Sequence, residues 1–93
     1  MSGYDRTMQL ARERNILALG ILKQCYEWIL KQGLDQMFTA HWVLGGITAV
    51  NLKTLRARGI LEKVGISRGG HRVYYVMVDP DGVGRALHAL GLG

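Results

Sequence analysis

The sequence has few cysteines and no long apolar runs. Its single cysteine, Cys25, excludes an internal disulfide framework and fits a reducing compartment. No run reaches the roughly 20 consecutive apolar residues that cross a bilayer. Residues 1–14 mix acidic, basic and polar side chains, unlike a signal peptide. We therefore expect a soluble cytoplasmic protein with no membrane partner.

Residue sets that carry catalysis, bind metals or hold cofactors are also scarce. The three histidines lie in separate segments without metal-ligand spacing, and the seven acidic residues are scattered. No phosphate-binding GxxxxGK[ST] loop occurs, and Gly82-Val83-Gly84 lacks the third glycine of a dinucleotide site. Cys25 lies on an apolar helical stripe, which favours a buried thiol over a nucleophile. The prediction is a protein that is not an enzyme and uses no cofactor or metal.

Basic residues, by contrast, are concentrated in one third of the chain. Residues 47–78 contain six of them against the single acid Glu62, which accounts for the net charge of +5 of the whole chain. They are Lys53, Arg56, Arg58, Lys63, Arg68 and Arg72. Concentrated positive charge attracts a polyanion and releases its counterions on binding. A solvated surface explains such a cluster equally well until its structural setting is considered.

The length of 93 residues predicts one domain, residues 1–93. Apolar spacing, glycine and proline predict helices at 5–32, 39–44, 48–58 and 80–91 and a β-hairpin at 60–78. Gly20 weakens the first helix. Two interpretations of that segment stay open: an unbroken helix, or a separate helical arm over Arg6–Asn15.

Capping residues and glycines set the boundaries of the two central helices. Thr39 is a suitable N-cap for the helix at 39–44, and the Gly45–Gly46 pair ends it. Thr48 caps the next helix, which stops at Gly59. Two helices separated by a tight glycine turn form a helix-turn-helix.

The segment after Gly59 changes to a strand pattern. A glycine-containing turn at 67–70 precedes a run rich in β-branched and aromatic residues, which predicts a hairpin. Val73, Tyr75 and Met77 share one face of the second strand. We assign Tyr75 to the core and leave Tyr74 undecided. Trp28 and Trp42 are expected to be packing or interface residues.

The last helix begins with a strong signal. Asp79 is a suitable cap and Pro80 suits the first helical position. Its glycines make it weak in isolation, so packing must hold it.

One domain of this small size makes limited contacts with a binding partner. We therefore expect a homodimer, formed through the apolar surfaces at 17–30 in the first helix, at 83–92 in the last helix, or both.

The stretch Leu52-Lys53-Thr54-Leu55-Arg56-Ala57-Arg58-Gly59-Ile60-Leu61 resembles the end of the recognition helix and the start of the wing in winged helix-turn-helix regulators, such as the MarR-like and ArsR-like repressors. The resemblance covers about 38–78. In size the chain also resembles the small winged-helix regulators of plasmids and viruses. The resemblance to winged helix-turn-helix regulators implies an α+β fold with a three-helix core, a two-stranded hairpin wing and a C-terminal helix.

The resemblance also implies a function: sequence-specific binding of double-stranded DNA by a transcriptional regulator. The recognition helix would enter the major groove, and the wing would contact the backbone or the minor groove. The expected contacts are Thr48, Ala49, Val50, Asn51, Lys53, Thr54, Arg56 and Arg58 in the helix, and Ser67, Arg68, His71 and Arg72 in the wing. The alternative is a winged-helix module that binds another protein and no DNA, which Val50 in the middle of the recognition face favours.

Overall fold

A computed structural model describes residues 2–45 and 50–93, and the backbone alone of residues 50 and 51. In these residues the fold is α+β, with five helices and an antiparallel hairpin. The elements are α1 (Gly3–Arg12), α2 (Ile16–Gln32), α3 (Ala40–Leu44), α4 (Val50–Ala57), β1 (Leu61–Ile66), β2 (Val73–Met77) and α5 (Pro80–Ala89). None of the helices in the described residues is long and apolar enough to cross a membrane.

The prediction of one unbroken helix over 5–32 is wrong, because the segment forms two helices, α1 and α2. The alternative interpretation, a separate helical arm before the main helix, is confirmed by α1. The chain turns at Arg14, which has a positive φ of 57°. Asn15 then caps α2, since its side-chain oxygen accepts the N–H of Ala18 at 3.2 Å. Gly20, the residue expected to weaken the helix, lies inside α2 without interrupting it.

Helix α2 is the centre of the fold, because it packs against each of the other four helices. Its buried side chains belong to one apolar cluster with side chains from α1, α4, α5 and both strands. The largest fully buried residues of this core include Phe38, Leu10, Leu22, Ile29, Leu52, Leu55, Ile60, Leu61, Leu87 and Val83. Burying an aliphatic or aromatic side chain of this size contributes about 1.5–3 kcal/mol each.

Asp79 ties the end of the chain to its beginning. Its carboxylate accepts the N–H of Gly82 at 3.2 Å, which caps α5, and the N–H of Gly3 at 2.8 Å. Helices α1 and α5 approach so closely that a Cβ on Gly82 would lie 2.7 Å from the backbone nitrogen of Tyr4. A glycine that weakens α5 in isolation therefore permits this packing.

Helix α3 confirms the prediction of a short helix at 39–44. The Thr39 hydroxyl accepts the N–H of Trp42 at 3.1 Å, and Gly45 ends the helix with a φ of 65°. The helix predicted at 48–58 is observed as α4 from residue 50 to residue 57. The predicted cap at Thr48 lies outside the described residues.

The hairpin predicted at 60–78 is confirmed. Strand β1 pairs with β2 from Leu61 opposite Met77 to Ile66 opposite Val73, and a bulge interrupts the register between Lys63 and Gly65. Phe38 forms a further bridge to the middle of β2, with reciprocal backbone hydrogen bonds of 2.9 and 2.8 Å to Tyr75. Strand β2 is therefore held on both sides, and α3 follows directly from the Phe38 bridge.

Candidate nucleic-acid interface

Helix α4 turns its leucines inward and its lysine outward, as the sequence predicts. The side chains of Leu52 and Leu55 are fully buried. Lys53 and Arg56 are exposed, and Thr54 is half-buried. Because the helix is fixed through its leucine side, its basic side faces solvent.

A cleft of about 210 Å³ lies where α3, α4 and the hairpin meet. Four of the side chains that line it are basic or imidazole groups: His41 of α3, Lys53 of α4, and His71 and Arg72 of the hairpin. We call these four residues the basic cleft. Of the predicted contacts, Lys53 of the helix and His71 and Arg72 of the hairpin turn thus line one cleft.

The hairpin turn, residues 67–72, is held by Ser67. The backbone N–H of Ser67 donates to the carbonyl of Arg72 at 2.8 Å, and its hydroxyl accepts the N–H of Arg72 at 3.1 Å. Its carbonyl accepts the N–H of Gly70, which has a φ of 72°. Arg68, His71 and Arg72 are exposed around this turn. Ser67 thus shapes the turn, and Arg68 and Arg72 carry its positive charge.

Arg58 is engaged within the chain. It forms a two-bond ion pair with Glu13, with one hydrogen bond of 2.6 Å between Nη1 and Oε2. Hydrogen bonds from Arg58, and to a lesser extent from Gln9, lower the pKa of Glu13 to about 2. The predicted DNA contact of Arg58 therefore competes with an internal carboxylate.

A second arginine holds the same end of α4. The guanidinium of Arg6 donates to the carbonyl of Gly59 at 2.7 Å. Gly59 has a φ of 75°, and a Cβ there would overlap with Nη1 of Arg6. Together with the Glu13–Arg58 pair, this contact joins α1 to the junction between α4 and β1. These positioning contacts were not predicted from the sequence.

Four of the predicted contacts lie outside the side chains that the structure describes. Thr48 and Ala49 lie outside the described residues, and the side chains of Val50 and Asn51 are not described. These residues form the predicted start of the recognition helix.

His41 lines the basic cleft but was not among the predicted contacts. Nothing local marks His41, because its place depends on how α3 packs against α4 and the hairpin.

An aromatic cluster holds α3 in that position. The ring of Trp42 stacks on Trp28 of α2 with centroids 6.2 Å apart, and meets the edge of Tyr74 of β2 at 5.7 Å. Phe38 lies 6.1 Å from Trp28 and 6.4 Å from the buried Tyr75. The predicted core position of Tyr75 is confirmed, and Tyr74 is a half-buried packing residue.

Cys25 is buried, as predicted, and burial raises the pKa of its thiol to about 12. Across residues 2–45 and 50–93, no three His, Cys, Asp or Glu side chains come together as metal ligands would. Comparisons of the chain with family models, with curated proteins and with solved structures found no match.

Proposed function

We propose that this protein is a winged helix-turn-helix protein that binds double-stranded DNA and regulates transcription, and that it is not an enzyme. In this proposal α3 and α4 form the helix-turn-helix, and the β1–β2 hairpin is the wing. Helix α4 enters the major groove, while the hairpin turn follows the backbone or reaches the minor groove.

The observation that carries the proposal is the basic cleft. A helix anchored by Leu52 and Leu55 presents Lys53 on the same surface as Arg72 of the hairpin turn. A duplex presents a major groove flanked by phosphates, so it can contact a helix and an adjacent turn simultaneously. Because α4 packs against β1 of the hairpin, the backbone positions of the two basic residues are held on one side of the fold before binding.

The charge distribution agrees with a polyanionic partner. Helices α3 and α4 contain no acidic residue, and the hairpin contains only Glu62. Glu62 pairs with Val76 at the end of the hairpin opposite the turn. Little negative charge therefore opposes a phosphate at the proposed surface.

We further propose that the protein binds DNA as a homodimer. In the last helix, which was the other predicted dimer surface, Val83 and Leu87 of the apolar stripe are fully buried within the chain, which favours α2 as the dimer surface. Helix α2 keeps three large apolar side chains exposed: Ile16 at 76%, Leu17 at 65% and Leu30 at 54%. A twofold dimer through α2 would read a palindromic site with half-sites about one helical turn apart.

The test is a titration of a fluorescent 20-base-pair duplex at 50 and 200 mM salt. Any duplex serves, because phosphate contacts do not depend on sequence. Binding through about six phosphates loses roughly a thousandfold in affinity between these salt concentrations. A Lys53→Ala/Arg72→Ala variant is expected to bind more weakly and to lower the salt slope by about two. Arg12→Ala/Arg85→Ala, which removes two exposed charges on α1 and α5, is the matched control.

The alternative is a winged-helix module that binds a protein. Three exposed apolar side chains of the hairpin region favour it: Val64 at 48%, Ile66 at 52% and Val78 at 52%. If no binding to duplex DNA is measurable at 50 mM salt, the DNA proposal is wrong and this alternative gains support. Equal affinities for the wild type and the Lys53→Ala/Arg72→Ala variant would also contradict the proposed surface.

A further inference from the structure

We infer that the basic cleft seats one phosphate of the DNA backbone, and that His41 and His71 make this contact depend on protons. The inference rests on the proposed DNA binding and adds a regulation to it: affinity for DNA rises as the pH falls. It also assigns His41 of α3, outside both the recognition helix and the hairpin, to the binding surface.

The size and lining of the cleft favour a small anionic group. Its volume of about 210 Å³ is below the 300–1,000 Å³ typical of sites for larger organic ligands. Lys53 and Arg72 supply two permanent positive charges from two different elements. His41 and His71 add two ring systems that donate hydrogen bonds from both nitrogens when protonated. A tetrahedral phosphate accepts hydrogen bonds from several directions, which suits this convergence.

The groups around the two imidazoles determine the direction of the pH effect. Among the described residues that line the cleft, the charged ones are Lys53 and Arg72, and no Asp or Glu is present. Like charges disfavour protonation of an imidazole, whereas a bound phosphate favours it. Binding is therefore expected to take up protons. By linkage, protons then strengthen binding to the same extent.

Histidine is the side chain whose ordinary charge change falls between pH 5 and 8. Each proton taken up fully on binding changes the affinity by up to tenfold per pH unit. For the two histidines of the cleft together, we expect the wild type to bind on the order of tenfold more tightly at pH 6 than at pH 8. The salt slope should also be steeper at pH 6, because the protein then neutralises more phosphate charge.

The experiment measures duplex affinity by fluorescence anisotropy at pH 6 and pH 8, at one constant ionic strength. It compares the wild type with His41→Gln/His71→Gln. The matched control is His88→Gln, an exposed histidine of α5 that lines a different cleft beside Tyr26 and Arg85. We expect the wild type and the control to share the pH dependence and the double variant to lose most of it.

Two results would overturn the inference while leaving DNA binding intact: equal wild-type affinities at the two pH values, or a pH dependence that the double variant retains. Absence of binding at both pH values would overturn the proposed function as well. If the double variant does not fold, titration calorimetry of the wild type at pH 6.5 in buffers of different ionisation enthalpy replaces it. Net proton uptake on binding is the expected result, and zero uptake contradicts the inference.

Discussion

Replacing Gly82 with alanine tests the close approach of α1 and α5. Both Gly82 and Gly20 lie inside helices, where an alanine is normally more stable than a glycine by up to about 1 kcal/mol. Around Gly20 an added Cβ meets no atom within 4 Å. At Gly82 the Cβ would overlap with the Asp79 carboxylate and lie 2.7 Å from the backbone nitrogen of Tyr4. The two identical substitutions should therefore have opposite effects.

The magnitudes follow from these contacts. Gly20→Ala should raise the free energy of unfolding by up to about 1 kcal/mol. Gly82→Ala gains the same propensity, but it adds about 1–3 kcal/mol of overpacking and displaces the Asp79 cap, which contributes about 1 kcal/mol. The net expectation is a loss of about 2 kcal/mol. For a domain of this size, that lowers Tm by about 10 °C, whereas Gly20→Ala raises it by about 5 °C.

The assay is thermal and urea unfolding of the two variants beside the wild type, followed by circular dichroism. Equal urea m-values would show that the amount of surface exposed on unfolding is unchanged. A Gly82→Ala protein at least as stable as the wild type would refute the close packing of α1 against α5. A destabilised Gly20→Ala protein would refute the exposed position of that residue on α2.

Three further predictions concern a thiol, a carboxylate and the oligomeric state. Cys25, with its pKa raised to about 12, should not react with a thiol reagent at pH 8 until the protein unfolds; rapid reaction of the folded protein would contradict its burial. The backbone hydrogen bonds from Gly3 and, to a lesser extent, from Gly82 lower the pKa of Asp79 in the folded protein. The Asp79 carboxylate therefore stabilises the fold above the ordinary aspartate pKa near 4, and this stabilisation is lost as the pH falls through the lower pKa of the folded state. Asp79→Asn should therefore be less stable at pH 7 and lose less stability below pH 4, as measured by urea unfolding; an unchanged acid profile would argue against this. Ile16→Ser/Leu17→Ser should shift a dimeric wild type towards monomer in light scattering, and a monomeric wild type would contradict the proposed dimer.

Local sequence signals predicted much of the fold. Thr39 and Asp79 fixed two helix starts, because their side chains satisfy N–H groups within three residues. The spacing of Leu52 and Leu55 correctly placed one side of α4 in the core. The alternation around Tyr75 did the same for β2, since strand side chains alternate between faces.

Other features depend on contacts between distant residues. The break between α1 and α2 has a local cap in Asn15, but an asparagine within a helical pattern also occurs in uninterrupted helices. The bridge of Phe38 to β2 involves a single residue and therefore has no periodicity. The Glu13–Arg58 pair joins positions 45 residues apart. Neither pattern nor spacing in the sequence indicates these pairings.

The residues of the candidate site also fall into those that local sequence patterns predicted and those that depend on contacts between distant residues. Lys53 and Arg72 were found because helical periodicity and the turn signal place them on exposed positions. His41 was missed because α3 reaches the cleft only through its aromatic packing on α2 and β2. Arg58 was predicted to contact DNA, although its pairing with Glu13 engages it within the chain.

The most direct test of the account is a titration of the ¹⁵N-labelled protein with a short duplex, followed by backbone amide chemical shifts. A chain of 10.3 kDa gives well-resolved spectra even as a dimer. We predict that the largest shift changes occur in α4 around Lys53, in the hairpin turn from Arg68 to Arg72, and at His41. Changes concentrated on α1 and α5, with α4 and the hairpin turn unaffected, would contradict the proposed DNA-binding surface.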